Sequence, residues 1–179
     1  MSEPEEPPEW VTLTGDESVI WSGGPANVRV AEEVLGEVVL VAAGLWLVFV
    51  QPAAIGAVTL PAFGFVPLGI AGVGLVVAGV GLLFGILTYL RFRAIEYLIT
   101  TKELYVKRGL VSRSVENLRL ERVQNNGFEQ TVLQRLLGYG HVHVSTAGGG
   151  GVELRFKNVP DPGDVNGIIT ERLDRVRSR

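Results

Sequence analysis

The chain contains no cysteine. A disulfide framework, a thiol nucleophile and a thiolate metal site are therefore excluded. Histidine is nearly as scarce, with His141 and His143 the only two. Charge is missing from one long block: between Val38 and Leu90 there is no Asp, Glu, Lys, Arg or His. One membrane-spanning helix needs about 20 apolar residues. The block is too long for one span and fits two with a short connection. A buried helix of a soluble protein rarely exceeds about 25 residues and keeps a polar face, so it does not explain the run. A basic leader is also lacking. The chain opens on the acidic stretch Ser2–Glu9, and no cleaved signal peptide is expected.

The net charge of −3 hides an asymmetry. Residues 1–37 hold nine acids and one base, a net −8, whereas residues 91–179 hold fifteen bases and ten acids, a net +5. Such a split suggests different partners for the two ends.

Three segments are expected. Residues 1–26 form an acidic tail and pre-membrane segment, with Trp10, Leu13, Ile20 and Trp21 as apolar anchors. Residues 27–93 form a two-pass transmembrane hairpin. Pro25 and Asn27 suit a helix start. The first span runs roughly Val34–Val50, the connection Gln51–Gly64 is broken by Pro52, Gly56, Pro61 and Gly64, and the second span runs roughly Phe65–Leu90. Ala71, Gly74, Ala78, Gly81 and Gly85 recur at steps of three and four, so they share a helix face. Gly74, Ala78, Gly81 and Gly85 make small-xxx-small pairs suited to close helix packing, against Ala42–Gly44 of the first span or against another copy. Arg91 and Arg93 follow the second span and the connection has no base, which places both termini in the cytoplasm. Glu37 is expected at the membrane boundary. Because the spans themselves hold no ionisable residue, a stand-alone transporter is disfavoured.

Residues 94–179 read as a small soluble domain of mostly β structure. Tyr97–Ile99 and Leu104–Val106 are strand-like, Arg108-Gly109 marks a turn before Leu110-Val111, and Val115, Leu118 and Leu120 continue the apolar pattern. His141–Val144 and Val152–Lys157 alternate cleanly. Gly148–Gly151 between them is expected to be a hairpin connection; a strand follows it, so a phosphate cradle is disfavoured. Gln130–Leu137 reads as a short helix closed by Gly138. Val165, Ile168, Ile169, Leu173 and Val176 mark the apolar face of a C-terminal helix that begins at Asp161-Pro162.

A strand-rich stretch closed by one C-terminal helix is the order of a pleckstrin-homology (PH) barrel. The runs Tyr97–Thr101, Leu120–Gln124, Leu136–Val142 and Gly148-Gly149 resemble the bacterial PH domain family of the YdbS/YdbT type. Leu13–Pro25 also looks like the stretch ahead of the first span in such proteins. The resemblance implies a PH-like split β-barrel with a C-terminal helix, placed just after a pair of transmembrane helices. It implies no reaction.

Catalytic chemistry is not apparent. His141 and His143 share a strand face but lack a third ligand of the usual kind, so no metal site and no cofactor are expected. No serine-nucleophile elbow is present. The basic residues Arg91, Arg93, Lys102, Arg119, Arg122 and Arg135 are the candidate contact set for a lipid or protein partner. The turn Thr100–Glu103 carries one Lys cancelled by one Glu, which disfavours a tight inositol-phosphate pocket. The expected protein is a non-enzymatic interaction or assembly module anchored at the cytoplasmic face of a prokaryotic cell membrane. Its expected partners are the bilayer and an unknown membrane or cytoplasmic protein, with self-association open and no nucleic acid. The alternative is binding or sensing of anionic lipid head groups.

Overall fold

A computed structural model describes residues 8–50, 70–146 and 154–178. The connection Gln51–Gly64, the start of the second apolar stretch and the Gly148–Gly151 run lie outside the described residues. The chain divides into two compact units. One joins Met1–Arg29 with Arg91–Arg179, and the other is Val30–Leu90.

The first unit has the PH-like fold: two antiparallel sheets and a C-terminal helix. Strands β1 (Val19–Gly23), β2 (Glu96–Thr100), β3 (Glu103–Arg108) and β4 (Ser114–Arg119) form one sheet in that order. Strands β5 (Val123–Glu129), β6 (Tyr139–Thr146) and β7 (Leu154–Pro160) form the other. Alternation sets the faces: Leu104 and Val106 of β3, and Val142 and Val144 of β6, turn inward. They meet Tyr97, Ile99, Leu118, Leu120, Leu154 and Phe156 in one core, which the C-terminal helix (Pro162–Arg177) closes with Val165, Ile169 and Leu173. Asp161 stands at the N-cap of that helix in a left-handed conformation, and its side chain makes no capping bond. Its backbone carbonyl accepts from Asp164 N–H (3.0 Å) and Val165 N–H (3.2 Å), and its own N–H donates to Gly138 C=O (3.0 Å).

Strand β1 lies in the segment that sequence patterning assigned to a pre-membrane piece. It pairs antiparallel with β2, Trp21 opposite Ile99 and Gly23 opposite Tyr97. Trp21 stacks on Phe156 with ring centroids 6.3 Å apart. Upstream, Trp10 packs edge-on to Tyr105 and its indole N–H donates to Glu96.

The Leu136–Val142 run has a local physical cause. A short helix (Val132–Leu136) opens on a capping box, in which Thr131 and Gln134 each bond the other's backbone. It closes on Gly138, whose φ of +73° suits glycine. Two residues on, a Cβ at Gly140 would lie 2.7 Å from the Glu129 carbonyl and 2.9 Å from Pro162, so only glycine lets β5, β6 and the C-terminal helix converge there.

The second unit holds most of the helices Asn27–Val50 and Ile70–Arg93. Among the described residues the α-helices are α1 (Asn27–Val50), α2 (Ile70–Arg93), α3 (Val132–Leu136) and α4 (Pro162–Arg177). Among the described residues Ala71–Arg93 is long and apolar enough to cross a membrane. α1 and α2 run antiparallel: Gly44 faces Gly74 and Ala78, and Gly81 faces Glu37, Leu40 and Val41. A Cβ at Gly44 or Gly74 would come within 2.5 Å of the other helix's backbone, whereas one at Gly85 would meet only ordinary contact at 3.5 Å. Glu37 accepts a hydrogen bond from Thr88 (3.3 Å) on this contact.

The close approach therefore centres on Gly44 and Gly74. Gly74→Leu should force α1 and α2 apart at a cost of about 1–3 kcal/mol, and Gly85→Leu should do much less. Disulfide yield between cysteines placed at Val41 and Leu82 measures this. It should fall in the first variant and persist in the second; equal yields would remove backbone proximity as the packing determinant.

Candidate functional site

The β2–β3 turn and the end of β4 form one end of the four-stranded sheet. A groove of about 400 Å³ opens there, lined by Thr14, Glu17, Thr101, Lys102, Glu103, Arg119, Glu121 and Val176. Glu17 is buried, and its carboxylate accepts from the Thr100 hydroxyl (2.5 Å) and the Thr14 N–H (3.2 Å). The Thr100 hydroxyl in turn accepts from Glu103 N–H (2.9 Å). Burial, together with the adjoining Glu103 and Glu17 carboxylates, raises the Tyr105 phenol well above its ordinary pKa. The cations are paired: Lys102 with Asp16, and Arg119 with Glu103 (3.2 Å). The network ties residues 14–18 to the β2–β3 turn, and its lining carries both signs of charge.

The six expected contact residues stand on separate elements. Lys102 and Arg119 line this groove. Arg122 is exposed on the 3₁₀ turn Leu120–Arg122. Arg135 is exposed on α3, in the β5–β6 connection. Arg91 and Arg93 stand in the last turn of α2.

The two histidines face outward from β6 over a small cavity of about 240 Å³ shared with Glu129, Arg155 and Lys157. The β6–β7 ladder skips at this point: Gly140 pairs with Val159 and Val142 with Phe156, so Lys157 and Asn158 oppose His141 alone. This is a β-bulge, and its freed backbone groups need partners. His141 Nδ1 accepts from Asn158 N–H (3.0 Å), and Asn158 C=O accepts from Ala26 N–H (2.6 Å). The Tyr97 hydroxyl donates to Lys157 C=O (2.9 Å) and accepts from Lys157 N–H (3.0 Å). Among the described residues no three His, Cys, Asp or Glu are grouped to hold a metal ion.

Sequence patterning missed two exposed apolar tips. Leu110 and Val111 do not continue a strand; they stand on the β3–β4 turn. Val132, Leu133 and Leu136 project from α3, which buries none of its residues. The signal available was weak: Gly109 interrupts the alternation, and α3 is too short for an apolar face to show as a period.

A family model described as bacterial PH domain matches residues 30–173. A solved structure of a DUF1696 family protein with a pleckstrin-homology domain, from Shewanella loihica PV-4, is similar at 11% identity. Its TM-score is 0.34 over 44% of this chain and 71% of that one. No curated protein matches the chain.

His141 generates a pH dependence. Burial is the largest influence and lowers its pKa, with Lys157 and Arg155 adding to it and Glu129 opposing. A protonated ring also loses the lone pair that Asn158 N–H uses. The unfolded chain therefore takes up the proton first, near the ordinary value of about 6.5. Stability should be fully present above that value and decline as pH falls through it toward the lower folded value. His141→Gln keeps an acceptor but does not titrate. Thermal melts of the purified protein between about pH 8 and about pH 5 should show a shallower slope for this variant. An unchanged slope would exclude His141 as the source.

Proposed function

Because the chain belongs to the bacterial PH domain family, we propose that it is a membrane-anchored, non-enzymatic module that holds its PH-like domain at the cytoplasmic face of a prokaryotic cell membrane. The observation that carries this reading is the pairing of β1 with β2. These strands precede and follow the apolar block, yet they share hydrogen bonds in one sheet. This pairing supports one compartment for both flanks of the block and an even number of crossings between them. Ala71–Arg93 supplies one crossing by length and composition. α1, antiparallel to it, supplies the other. Arg91 and Arg93 at the end of α2, against a connection with no base, support a cytoplasmic position for both flanks and for both termini.

The role assigned to the domain is contact: with a membrane or cytoplasmic protein, or with another copy. The mixed-charge groove around Lys102, Glu103 and Arg119 is suited to recognising a polar protein surface. A second reading, contact with anionic head groups, draws on the exposed arginines nearest the apolar helices.

Reporter fusions test the anchoring. Fusions at residues 1 and 179 should both report cytoplasm, one near Thr59 should report the outside, and the chain should resist alkaline carbonate extraction. A cytoplasmic signal at Thr59 would sink the two-span reading.

A further inference from the structure

Large apolar side chains stand in solvent on two tips of the PH-like unit. On the β3–β4 turn Leu110 is 47% and Val111 97% exposed. On α3 Val132 is 90%, Leu133 59% and Leu136 82% exposed. Both tips are built rigidly. Gly109 turns with φ +115°, where a Cβ would lie 1.7 Å from the Ser112 carbonyl. α3 is held by its capping box. The exposure therefore belongs to formed structure.

Both tips also lie where the chain passes to the apolar helices. Glu96 pairs with Lys107, so the β3–β4 turn stands at the same end of the sheet as the start of β2. α2 ends at Arg93, three residues before β2, a reach of at most about 11 Å. The link from α3 starts with a side-chain contact and continues through hydrogen bonds. Gln134 contacts His141 Nε2 (3.3 Å), His141 accepts from Asn158 N–H, and Asn158 C=O accepts from Ala26 N–H. The next residue, Asn27, begins α1. The paired, mixed-charge groove is at the other end of the four-stranded sheet, by the β2–β3 turn.

Neither tip carries an acid. Arg113 closes the β3–β4 turn, and Arg135 is the one charged residue of Thr131–Leu137. Aliphatic side chains flanked by arginine are the combination that partitions into a lipid interface, with the apolar groups among the acyl chains and the guanidinium groups at the phosphates. Tethering through two adjacent strands holds such a surface at high effective concentration, so weak insertion suffices.

We propose that the β3–β4 turn and α3 seat the domain on the bilayer surface, inserting Leu110, Val111, Val132, Leu133 and Leu136 into its interface. This rests on the membrane anchorage proposed above. It also assigns the groove around Lys102 and Arg119 to the side turned away from lipid.

The full chain, which has no native cysteine, allows a direct test. Single cysteines at Val111, Leu133 and the exposed Glu121 are labelled with an environment-sensitive fluorophore. The protein is reconstituted in vesicles of mixed phosphatidylcholine and phosphatidylglycerol containing an acyl-chain quencher. The expected result is quenching severalfold stronger at Val111 and Leu133 than at Glu121, with the reverse order for an aqueous quencher. Replacing phosphatidylglycerol with phosphatidylcholine should weaken the effect without abolishing it. Equal access of the aqueous quencher at all three sites, in protein that still resists carbonate, would overturn the seating and leave the anchorage standing. Release by carbonate would remove the anchorage itself. Protection at Val111 and Leu133 that survives in detergent and disappears on dilution would assign the tips to a second copy and overturn the proposal.

Discussion

The pairing of β1 with β2 is the constraint on which the rest of the molecule depends. Residues 24–95 lie between two strands that are neighbours in one sheet. Closing so long a connection costs conformational entropy that grows only slowly with length, about 0.6 kcal/mol for each doubling. Packing of α1 against α2 through Gly44 and Gly74 shortens the effective loop further. What β1 returns is burial: Val19 is in the core, and Trp21 covers Phe156, which itself stacks on Tyr97 at 4.9 Å. The sheet is thus complete only when chain from both sides of the apolar block meets.

The exit from β1 toward α1 is secured by the irregularity in β7. A bulge leaves backbone groups without ladder partners, and burying them unpaired would cost roughly 1–3 kcal/mol each. Tyr97 from the first sheet, His141 from the neighbouring strand and Ala26 from the β1–α1 link satisfy them. Asn158 adopts φ +56°, a left-handed value that asparagine tolerates better than most residues. One local defect therefore joins the two sheets and fixes the point at which the chain departs. His141 does more than alternate along its strand. Its ring nitrogen replaces a backbone partner.

Much of this was legible in the sequence, for identifiable reasons. The charge-free block, the apolar run of β2, the alternation of β3 and β6, the short helix closed by Gly138 and the apolar face of α4 are all local signals. β1 carries none: Val-Ile-Trp-Ser-Gly has no alternation, and its partner lies beyond the apolar block. β5 is similarly silent, since only Val123 of its seven residues is buried. Leu110 and Val111 misled because exposed and buried aliphatics look alike in sequence. The arginines and lysine singled out as one contact set proved to belong to different places. A list of positions along strands says nothing about which end of a sheet each turn occupies, and register alone supplies that.

Register also separates the domain chemically. The β3–β4 turn and α3 hold exposed aliphatic side chains beside Arg113 and Arg135. At the β2–β3 end stand Lys102, Arg119, Glu17 and Glu103, paired with residues of their own chain. Exposed ion pairs of this kind contribute only about 0–1 kcal/mol each, so their value for stability is small. The buried part of the network is different in kind. Glu17 holds Thr100 and Thr14 in place, and removing one partner would strand the others in a region poor in water. A groove whose inner wall is fixed in this way and whose rim charges exchange partners at little cost is suited to contact. The wall keeps its shape, while Lys102 and Arg119 can be drawn from Asp16 and Glu103 to an incoming carboxylate. Because each cation already has an acid beside it, the groove should favour a polar protein surface over a highly charged phosphate, which would have to displace those acids. The β3–β4 turn and α3 thus carry exposed aliphatic side chains while the β2–β3 end carries a mixed-charge groove, so the unit presents different chemistry on different surfaces.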